Sequence, residues 1–230
     1  MKHIFSIIVF AVFLCVLTLG CHSGRIGSLP SQDETIGKDA SYALGMNIGS
    51  SMQSDGLYPN IQEFAQGIID ILSNNPTRST MDEASEVFFV AYNELRERQD
   101  MENRQTEGDF LEENSRNPGI MITPSGLQYE VIQEGSGETP SFEDTVRVHY
   151  EGSLVDGTVF DSSYMRGEPI EFPLSGVIPG WTEGLQLMNV GSTYRLFIPS
   201  DLGYGPQGAP PLIPPYSALI FQVELLDIIR

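Results

Sequence analysis

The chain has 230 residues, enough for one large or two modest domains, and its formal net charge is −19. Because both halves are net negative, a polyanion is repelled by either half, which excludes nucleic acid as a partner. The sequence shows no cluster of Cys and His with metal-ligand spacing, no Ser-His-Asp set and no phosphate-binding loop. We therefore predict a protein with no metal and no cofactor.

The first 20 residues have the pattern of an export signal. Lys2 belongs to a short basic start, and a continuous apolar run follows from Ile4 to Leu19. This run is shorter than a typical helix that spans a membrane, and its flanks are those of an export signal. We therefore expect residues 1–20 to direct the chain to the bacterial cell envelope, where it would face the periplasm or the cell surface.

Cys21 ends this segment in the sequence Leu-Thr-Leu-Gly-Cys, which is similar to a bacterial lipobox with Thr18 where that motif usually has Leu. We predict that Cys21 is lipidated and anchors the chain to a membrane. A plain secretory peptide and an uncleaved anchor are the alternatives. Cleavage would remove Cys15, so the mature chain would form no internal disulfide. Residues 21–33 are predicted to be a flexible tether, because they are mostly polar and contain Gly and Ser.

Residues 34–117 have the periodicity of helices. Asn60 with Glu63, and Thr80 with Glu83, have the spacing of capping boxes, which predicts that a helix begins at each pair. Apolar residues follow helical spacing in three stripes: Leu44, Ile48 and Met52; Phe64, Ile68, Ile71 and Leu72; and Ala84, Val87, Phe88, Ala91 and Leu95. Three short helices bury too little to form a core alone, so we predict a homodimerisation domain. A small monomeric helical domain is the alternative.

The third helix is predicted to be long, from about residue 80 to residue 116. Between Arg96 and Glu113 its residues are mainly charged or polar, and Asn117-Pro118 ends it. A helix that is polar all round bridges between domains and does not pack into a core of its own. We therefore expect this stretch to hold the following domain away without docking on it.

Residues 118–230 are predicted to form a second domain of antiparallel strands with one short helix. Val146, Val148 and Tyr150 alternate with polar residues, and Asp156-Gly157 is a turn signal between two strands. The last strand presents its inner face through Leu219, Phe221, Val223 and Leu225. Together with the helical region, these strands predict the fold class α+β.

Six motifs within this second domain resemble the FKBP family of peptidyl-prolyl cis-trans isomerases. In chain order they are V-H-Y-E-G, D-G-T-V-F-D-S-S, V-I-P-G-W, L-G-Y-G, I-P-P and L-I-F-Q-V-E-L-L. The resemblance implies a curved antiparallel sheet wrapped on a short helix. It also implies an apolar pocket with Trp181 at its floor. The helical region, more loosely, is similar to the dimerisation region of Mip-like members of the family.

The resemblance also implies the site residues. Tyr150, Asp161 and Tyr204 take the catalytic positions, and substrate would contact Phe160, Ile170, Val177, Ile178, Trp181, Ile213 and Phe221. Arg166 is in position to pair with Asp161, and the sequence leaves open whether Asp161 orients the substrate or only fixes its neighbours. Ile170 stands where the family often has Phe, and Ala209 where many members have His. We interpret Phe172 and Leu225 as core, and His149 as a surface residue.

The function implied is acceleration of Xaa-Pro isomerisation during the folding of exported proteins. No covalent step is needed, because an apolar pocket that favours a twisted amide lowers a barrier of about 18–20 kcal/mol. Proline-containing unfolded polypeptides would be the substrates, and macrolides of the rapamycin type would inhibit. The alternative is a non-catalytic chaperone or binding module of the cell envelope that uses the same pocket and helical arms.

Overall fold

The computed structural model describes residues 36–229. The predicted signal, the tether and Cys21 lie outside these residues. Within the described range, no helix combines the length and the apolar character that crossing a membrane requires. The chain forms two compact units, divided after Ala84.

In residues 36–84, the described part of the first unit, the regular elements are all helices, and two of them begin at the predicted caps. The helices are α1 (Lys38–Ser54), α2 (Ile61–Leu72) and the beginning of α3 (Met81–Ser115). Asn60 caps α2 by accepting from the amides of Gln62 and Glu63 at 3.1 and 3.2 Å. Thr80 and Glu83 form the reciprocal capping box of α3, with bonds of 2.8 and 3.3 Å between side chain and backbone.

The apolar stripes of these helices lie on the surface of the chain. Neither α1 nor α2 contains a buried residue. Side chains at least 40% exposed include Leu44, Ile61, Ile68, Ile69, Ile71, Leu72, Val87 and Phe88. Among the described residues of one chain, α1, α2 and the start of α3 therefore have no apolar core of their own.

A seven-stranded antiparallel sheet dominates the second unit, in the order β1-β2-β6-β7-β3-β4, with β5 also paired to β3. The strands are β1 (Ile120–Ile122), β2 (Gln128–Gln133), β3 (Thr145–Leu154), β4 (Val159–Ser162), β5 (Ile170–Pro173), β6 (Thr193–Ile198) and β7 (Leu219–Ile229). The predicted alternation is observed. On β3 and β7 the residues expected on the inner face are buried and their neighbours are not. The α+β fold class is confirmed.

The described part of this unit also contains two short α-helices, α4 (Ser163–Arg166) and α5 (Pro179–Leu185), and α5 packs on the sheet. Pro179 occupies the first turn of α5, where its missing N–H costs nothing. Gly180 and Gly184 permit a close approach, because a Cβ on either would come within 2.4 Å of Ile198 or 2.6 Å of Leu196. Helix and sheet thus enclose a core that includes Leu127, Val146, Val148, Leu174, Leu185, Met188, Leu196, Ile198, Leu219, Val223 and Leu225.

The last turns of α3 dock on this sheet, so the prediction of an undocked polar helix is wrong for this part. Asn114 is buried, and its Nδ2 donates to Gln128 Oε1 at 2.8 Å. The Phe110 ring lies 6.1 Å from that of Phe197. Docking uses hydrogen bonds from polar side chains together with one aromatic contact, which is why a search for an apolar stripe misses it.

Candidate active site

One open cavity of about 590 Å³ collects all the pocket residues that the family resemblance implied. Its walls are mainly apolar, and its lining is Tyr150, Phe160, Asp161, Ile170, Phe172, Gly176, Val177, Ile178, Trp181, Tyr204, Ala209, Leu212, Ile213 and Phe221. These residues come from four strands, the entry to α5 and the loop before β7. A cavity of this size with mainly apolar walls is of the kind that binds a small apolar group.

Trp181 is the centre of an aromatic cluster at the inner end of the cavity. Its ring lies 5.0 Å from that of Phe221 and 5.1 Å from that of Tyr150, both nearly perpendicular to it. Phe160 meets Phe221 edge-on at 5.5 Å. Edge-to-face pairs of this kind hold rings in defined positions. The cavity therefore has rigid aromatic walls.

Gly152 on β3 is needed for this packing. A Cβ at that position would lie 2.6 Å from the Phe221 ring and 2.7 Å from the Phe160 ring. Both rings would have to move, because contacts under 3.0 Å are essentially absent from real structures. The Gly that ends the V-H-Y-E-G motif is thus explained by the two aromatic rings that pack over it.

Phe172, interpreted as core, packs against the core and also lines the cavity, whereas Leu225 is fully buried as expected. The Phe172 ring lies 5.2 Å from the Trp181 ring. The signal was present in the sequence, because Ile170 and Phe172 are two apart on β5 and side chains at that spacing share a face. Gly176 and Leu212 also line the cavity from loops, where no periodicity indicates which way a residue faces.

Tyr150, Asp161 and Arg166 form a closed hydrogen-bonded cluster at the edge of the cavity. The Tyr150 hydroxyl donates to Asp161 Oδ2, and Arg166 Nη1 donates to Asp161 Oδ1. Arg166 Nη2 also donates to the Tyr150 hydroxyl at 2.9 Å. The predicted pairing of Arg166 with Asp161 is therefore present, and both carboxylate oxygens have partners.

The protonation states of this cluster follow from its contacts. Burial, and then the hydrogen bond to Asp161, raise the pKa of Tyr150 above its ordinary 10.0. Partial burial acts to raise the pKa of Asp161, but the hydrogen bonds from Tyr150 and Arg166 and the charge of Arg166 outweigh it, so that pKa lies below 3.8. At neutral pH the cluster thus holds an ionised Asp161, a neutral Tyr150 and a charged Arg166.

The side chains of Asp161 and Arg166 are 42% and 43% exposed. Solvent screens an ion pair that is this exposed, so its contribution to stability is small. Its structural effect is to fix the Tyr150 hydroxyl and one charged carboxylate at the mouth of an apolar cavity.

The loop between β6 and β7 forms another part of the cavity wall. Ala209 and Ile213 exchange two backbone hydrogen bonds of 2.8 and 3.0 Å, which turn the buried Ile213 side chain into the cavity. Tyr204 is 41% exposed, and its hydroxyl bonds to none of the residues that the structure describes. This hydroxyl is available to donate to a bound molecule.

His149 is absent from the cavity lining. Its ring stacks on Tyr164 at 4.7 Å, and its Nδ1 lies 2.9 Å from Ser163 Oγ. Residues 36–229 contain no group of His, Cys, Asp or Glu arranged to hold a metal ion. The groups that line the cavity can enclose an apolar ring, donate a hydrogen bond from the Tyr204 hydroxyl and present the fixed negative charge of Asp161.

Two family models match the chain. The model for FKBP-type peptidyl-prolyl cis-trans isomerase matches residues 136–226. The model for the domain amino terminal to FKBP-type peptidyl-prolyl isomerase matches residues 37–131. Together these matches include the cavity and nearly all of the helical region.

Similar proteins match over most of their length. The chain is 47% identical over 204 residues to the FKBP-type 22 kDa peptidyl-prolyl cis-trans isomerase of Escherichia coli (strain K12), covering 85% of this chain and 97% of that protein. It is 41% identical over 195 residues to the outer membrane protein MIP of Legionella longbeachae, covering 82% of this chain and 84% of that protein. Among solved structures, FkpA from Escherichia coli superposes with a TM-score of 0.66 at 34% identity, covering 87% of this chain and 98% of that one.

Proposed function

The chain belongs to the FKBP-type peptidyl-prolyl cis-trans isomerase family, and from that premise we propose how its cavity works and where the protein acts. The protein catalyses cis-trans isomerisation of Xaa-Pro bonds. The observation that carries the proposal is the apolar cavity with Trp181 at its inner end and a hydrogen-bond donor, Tyr204, at its rim. Its substrates would be unfolded, proline-containing polypeptides that have been exported.

The proposed mechanism is stabilisation of a twisted amide without a covalent step. Rotation about the C–N bond breaks amide resonance, which costs about 18–20 kcal/mol. The twisted amide is less charge-separated than the planar one, so an apolar cavity favours it relative to water. Only interactions that are stronger in the transition state accelerate the step. The proline ring would occupy the cavity between Trp181, Phe221 and Phe160.

Three polar groups would position the substrate. The free Tyr204 hydroxyl would donate to a substrate carbonyl. Asp161, held ionised by Tyr150 and Arg166, would set the electrostatic field around the rotating carbonyl without transferring a proton. Tyr150 would act through its ring and through its bond to Asp161. The remaining contacts with the substrate would come from Ile170, Val177, Ile178 and Ile213.

A short peptide with one Xaa-Pro bond tests the activity directly. We expect purified protein to accelerate cis-to-trans conversion well above the uncatalysed rate, which corresponds to about 10–100 s at 25 °C. A rate equal to that of buffer alone would leave the non-catalytic binding module as the better reading. Asp161, Trp181 and Tyr204, which a degenerate module should have lost, are all present in the lining, and this favours the enzyme.

Macrolides of the rapamycin type are proposed as inhibitors that occupy the same cavity. Ile170 and Ala209 both line it, so the departures at these positions would change contacts with such a ligand. Competitive inhibition of peptide isomerisation is expected. Full activity at saturating macrolide would mean that the rim does not accept this class of ligand.

We propose that residues 34–117 are a homodimerisation domain and residues 118–230 the isomerase domain. Support comes from the exposed apolar stripes of α1, α2 and the start of α3, because helices with no buried residue lack a reason to be stable alone. Each chain would cover the stripes of the other. Sedimentation of the mature chain at micromolar concentration should give the dimer mass, and a monomer mass would remove this proposal.

Lipidation of Cys21 is proposed to hold the protein at a membrane of the bacterial cell envelope, facing the periplasm or the surface. The sequence pattern supports this, and one similar protein is named as an outer membrane protein. Replacement of Cys21 by Ser should release the protein into the soluble exported fraction. Unchanged membrane retention would favour an uncleaved anchor.

A further inference from the structure

The loop between β6 and β7 supplies Tyr204 and Ile213 to the cavity, yet its two ends are held by helix α3. At the first end, the carboxylate of Glu107 accepts from the backbone N–H of Ser200 and, at 2.9 Å, from the Ser200 hydroxyl. Ser200 is buried and opens a 3-10 turn that leads to Tyr204. One side chain of α3 thus fixes where the loop begins.

The other end of the loop is held by two neighbouring residues of α3. Asn103 Nδ2 donates to Pro215 O at 2.9 Å. The guanidinium carbon of Arg104 lies 3.7 Å from the centre of the Tyr216 ring, a close cation–π contact. Asn103 and Glu107 are four residues apart, so they lie on the same face of the helix.

Tyr216 connects these contacts to the cavity. Its backbone has φ +54°, a left-handed conformation that costs free energy in a residue with a side chain and persists when neighbouring contacts enforce it. In this conformation the Tyr216 N–H donates to Gly205 O at 3.0 Å. Gly205 follows Tyr204, which lines the cavity, so the position of Tyr216 bears directly on that of Tyr204.

We propose that Asn103, Arg104 and Glu107 of α3 are positioning residues for isomerisation, which hold the loop from Ser200 to Tyr216 in the form that binds substrate. They touch no substrate and act only through the loop. A free loop would occupy this form for a smaller fraction of the time, and apparent substrate affinity falls by that same fraction. The isomerase domain therefore uses a segment of the preceding helical region to complete its pocket.

The test uses full-length protein carrying Arg104→Leu, Asn103→Ala or both, with a short Leu-Pro peptide as substrate. The double variant should raise KM about 3- to 10-fold and leave kcat within about twofold, since a cation–π contact and a hydrogen bond are lost from the loop. Arg104→Lys retains a cation over Tyr216 and should recover part of the affinity. Gln105→Ala is the matched control, because Gln105 is exposed on the same turn and its side chain, within residues 36–229, bonds only to Asp109.

Hydrogen exchange of the segment 200–217 separates positioning from a general loss of structure. In the double variant, exchange should accelerate in this segment and stay unchanged in β3 and β7. Arg104 is exposed, so its single replacement leaves the core intact and keeps the test valid if the double variant unfolds. An unchanged KM in both the Arg104→Leu variant and the double variant overturns the proposal. A raised KM with unchanged hydrogen exchange in segment 200–217 also overturns it.

This inference rests on the isomerase activity. The wild-type protein in the same assay distinguishes a failure of that activity from a failure of the positioning role. If the wild type does not accelerate the reaction, the proposed function fails. If the wild type is active and the α3 variants match it, only the positioning role fails.

Discussion

The two units of the chain use apolar residues in opposite ways. In the first, α1 and α2 carry apolar stripes at helical spacing, and no residue on either helix is buried. In the second, residues at strand spacing on β3 and β7 are almost completely buried against α5. Periodicity therefore identifies which face of an element is apolar, but it does not identify what covers that face.

The largest effect is expected from charging the exposed stripe of the first unit. Ile68→Asp with Ile71→Asp would place two carboxylates in each copy of the proposed dimer interface, where burying an unpaired charge is costly. We expect the dimer dissociation constant to rise by at least about 100-fold, together with a loss of helical circular dichroism. Analytical ultracentrifugation measures the dimer dissociation constant.

A matched pair on the polar face of the same helix, Gln62→Asp with Gln66→Asp, should leave the dimer intact. Peptide isomerisation per chain should survive the Ile68 and Ile71 substitutions, because neither residue lines the cavity. An unchanged dimer in the stripe variant would show that another surface joins the two chains.

In the second unit, Phe221→Ala and Leu225→Ala separate the contribution of the cavity wall to activity from the contribution of the core to stability. Both residues lie on the inner face of β7, but only Phe221 lines the cavity. Either change should cost about 2–5 kcal/mol of unfolding free energy. We expect kcat/KM to fall more than about 10-fold for Phe221→Ala alone, measured at a temperature where both variants are folded. Equal losses in the two variants would mean that global stability, and not the cavity wall, limits the rate.

Asp161→Asn tests the charge at the mouth of the cavity. The variant should lose about 3- to 10-fold in kcat/KM, because a neutral amide keeps an acceptor for Tyr150 but removes the charge. Asp156→Asn is the control, since Asp156 also has a lowered pKa but lies in a turn away from the cavity. Complete loss of activity in a folded Asp161→Asn protein would give Asp161 a central role in place of an orienting one.

The pH dependence of the wild type should reflect the same cluster. Asp161 has a pKa below 3.8 and Tyr150 one above 10.0, so kcat/KM should be flat from about pH 5 to about pH 9. A depressed carboxyl pKa stabilises the fold fully above the unfolded value of about 3.9, and this contribution disappears as pH falls through the folded value. Acid unfolding of Asp161→Asn should therefore depend less on pH below about 4 than that of the wild type.

The smallest effect is expected at the capping box that begins α3. Thr80→Ala removes the oxygen that accepts from the Glu83 amide, and loss of such a cap costs about 1 kcal/mol. Chemical denaturation at fixed protein concentration measures the loss. Thr106→Ala, in the interior of the same helix, should have no destabilising effect, because Ala is the better helix former there. Equal losses at both positions would show that the cap contributes nothing specific.

Much of the cavity could be predicted because the family resemblance implied its residues, and the alternation of two strands agrees with that assignment. Tyr150 and Phe221 are on strands whose alternation assigns them to the inner face, and Trp181 follows a proline that opens a helix. Phe172 could have been assigned by the same rule, from its spacing to Ile170. Leu212 and Gly176 could not, since loop residues have no repeat that sets their direction.

Sequence alone determined the α+β class, the helix starts at Asn60 and Thr80, and the inner faces of the strands, because capping and alternation depend on residues a few positions apart. Only the tertiary structure decided that Asn103, Glu107, Phe110 and Asn114 of α3 dock on the sheet domain. Their spacing of four, three and four residues places them on one face, but three of the four are polar. The free energy of this docking comes from hydrogen bonds and a ring contact with residues up to 112 positions away, and no local pattern contains those partners.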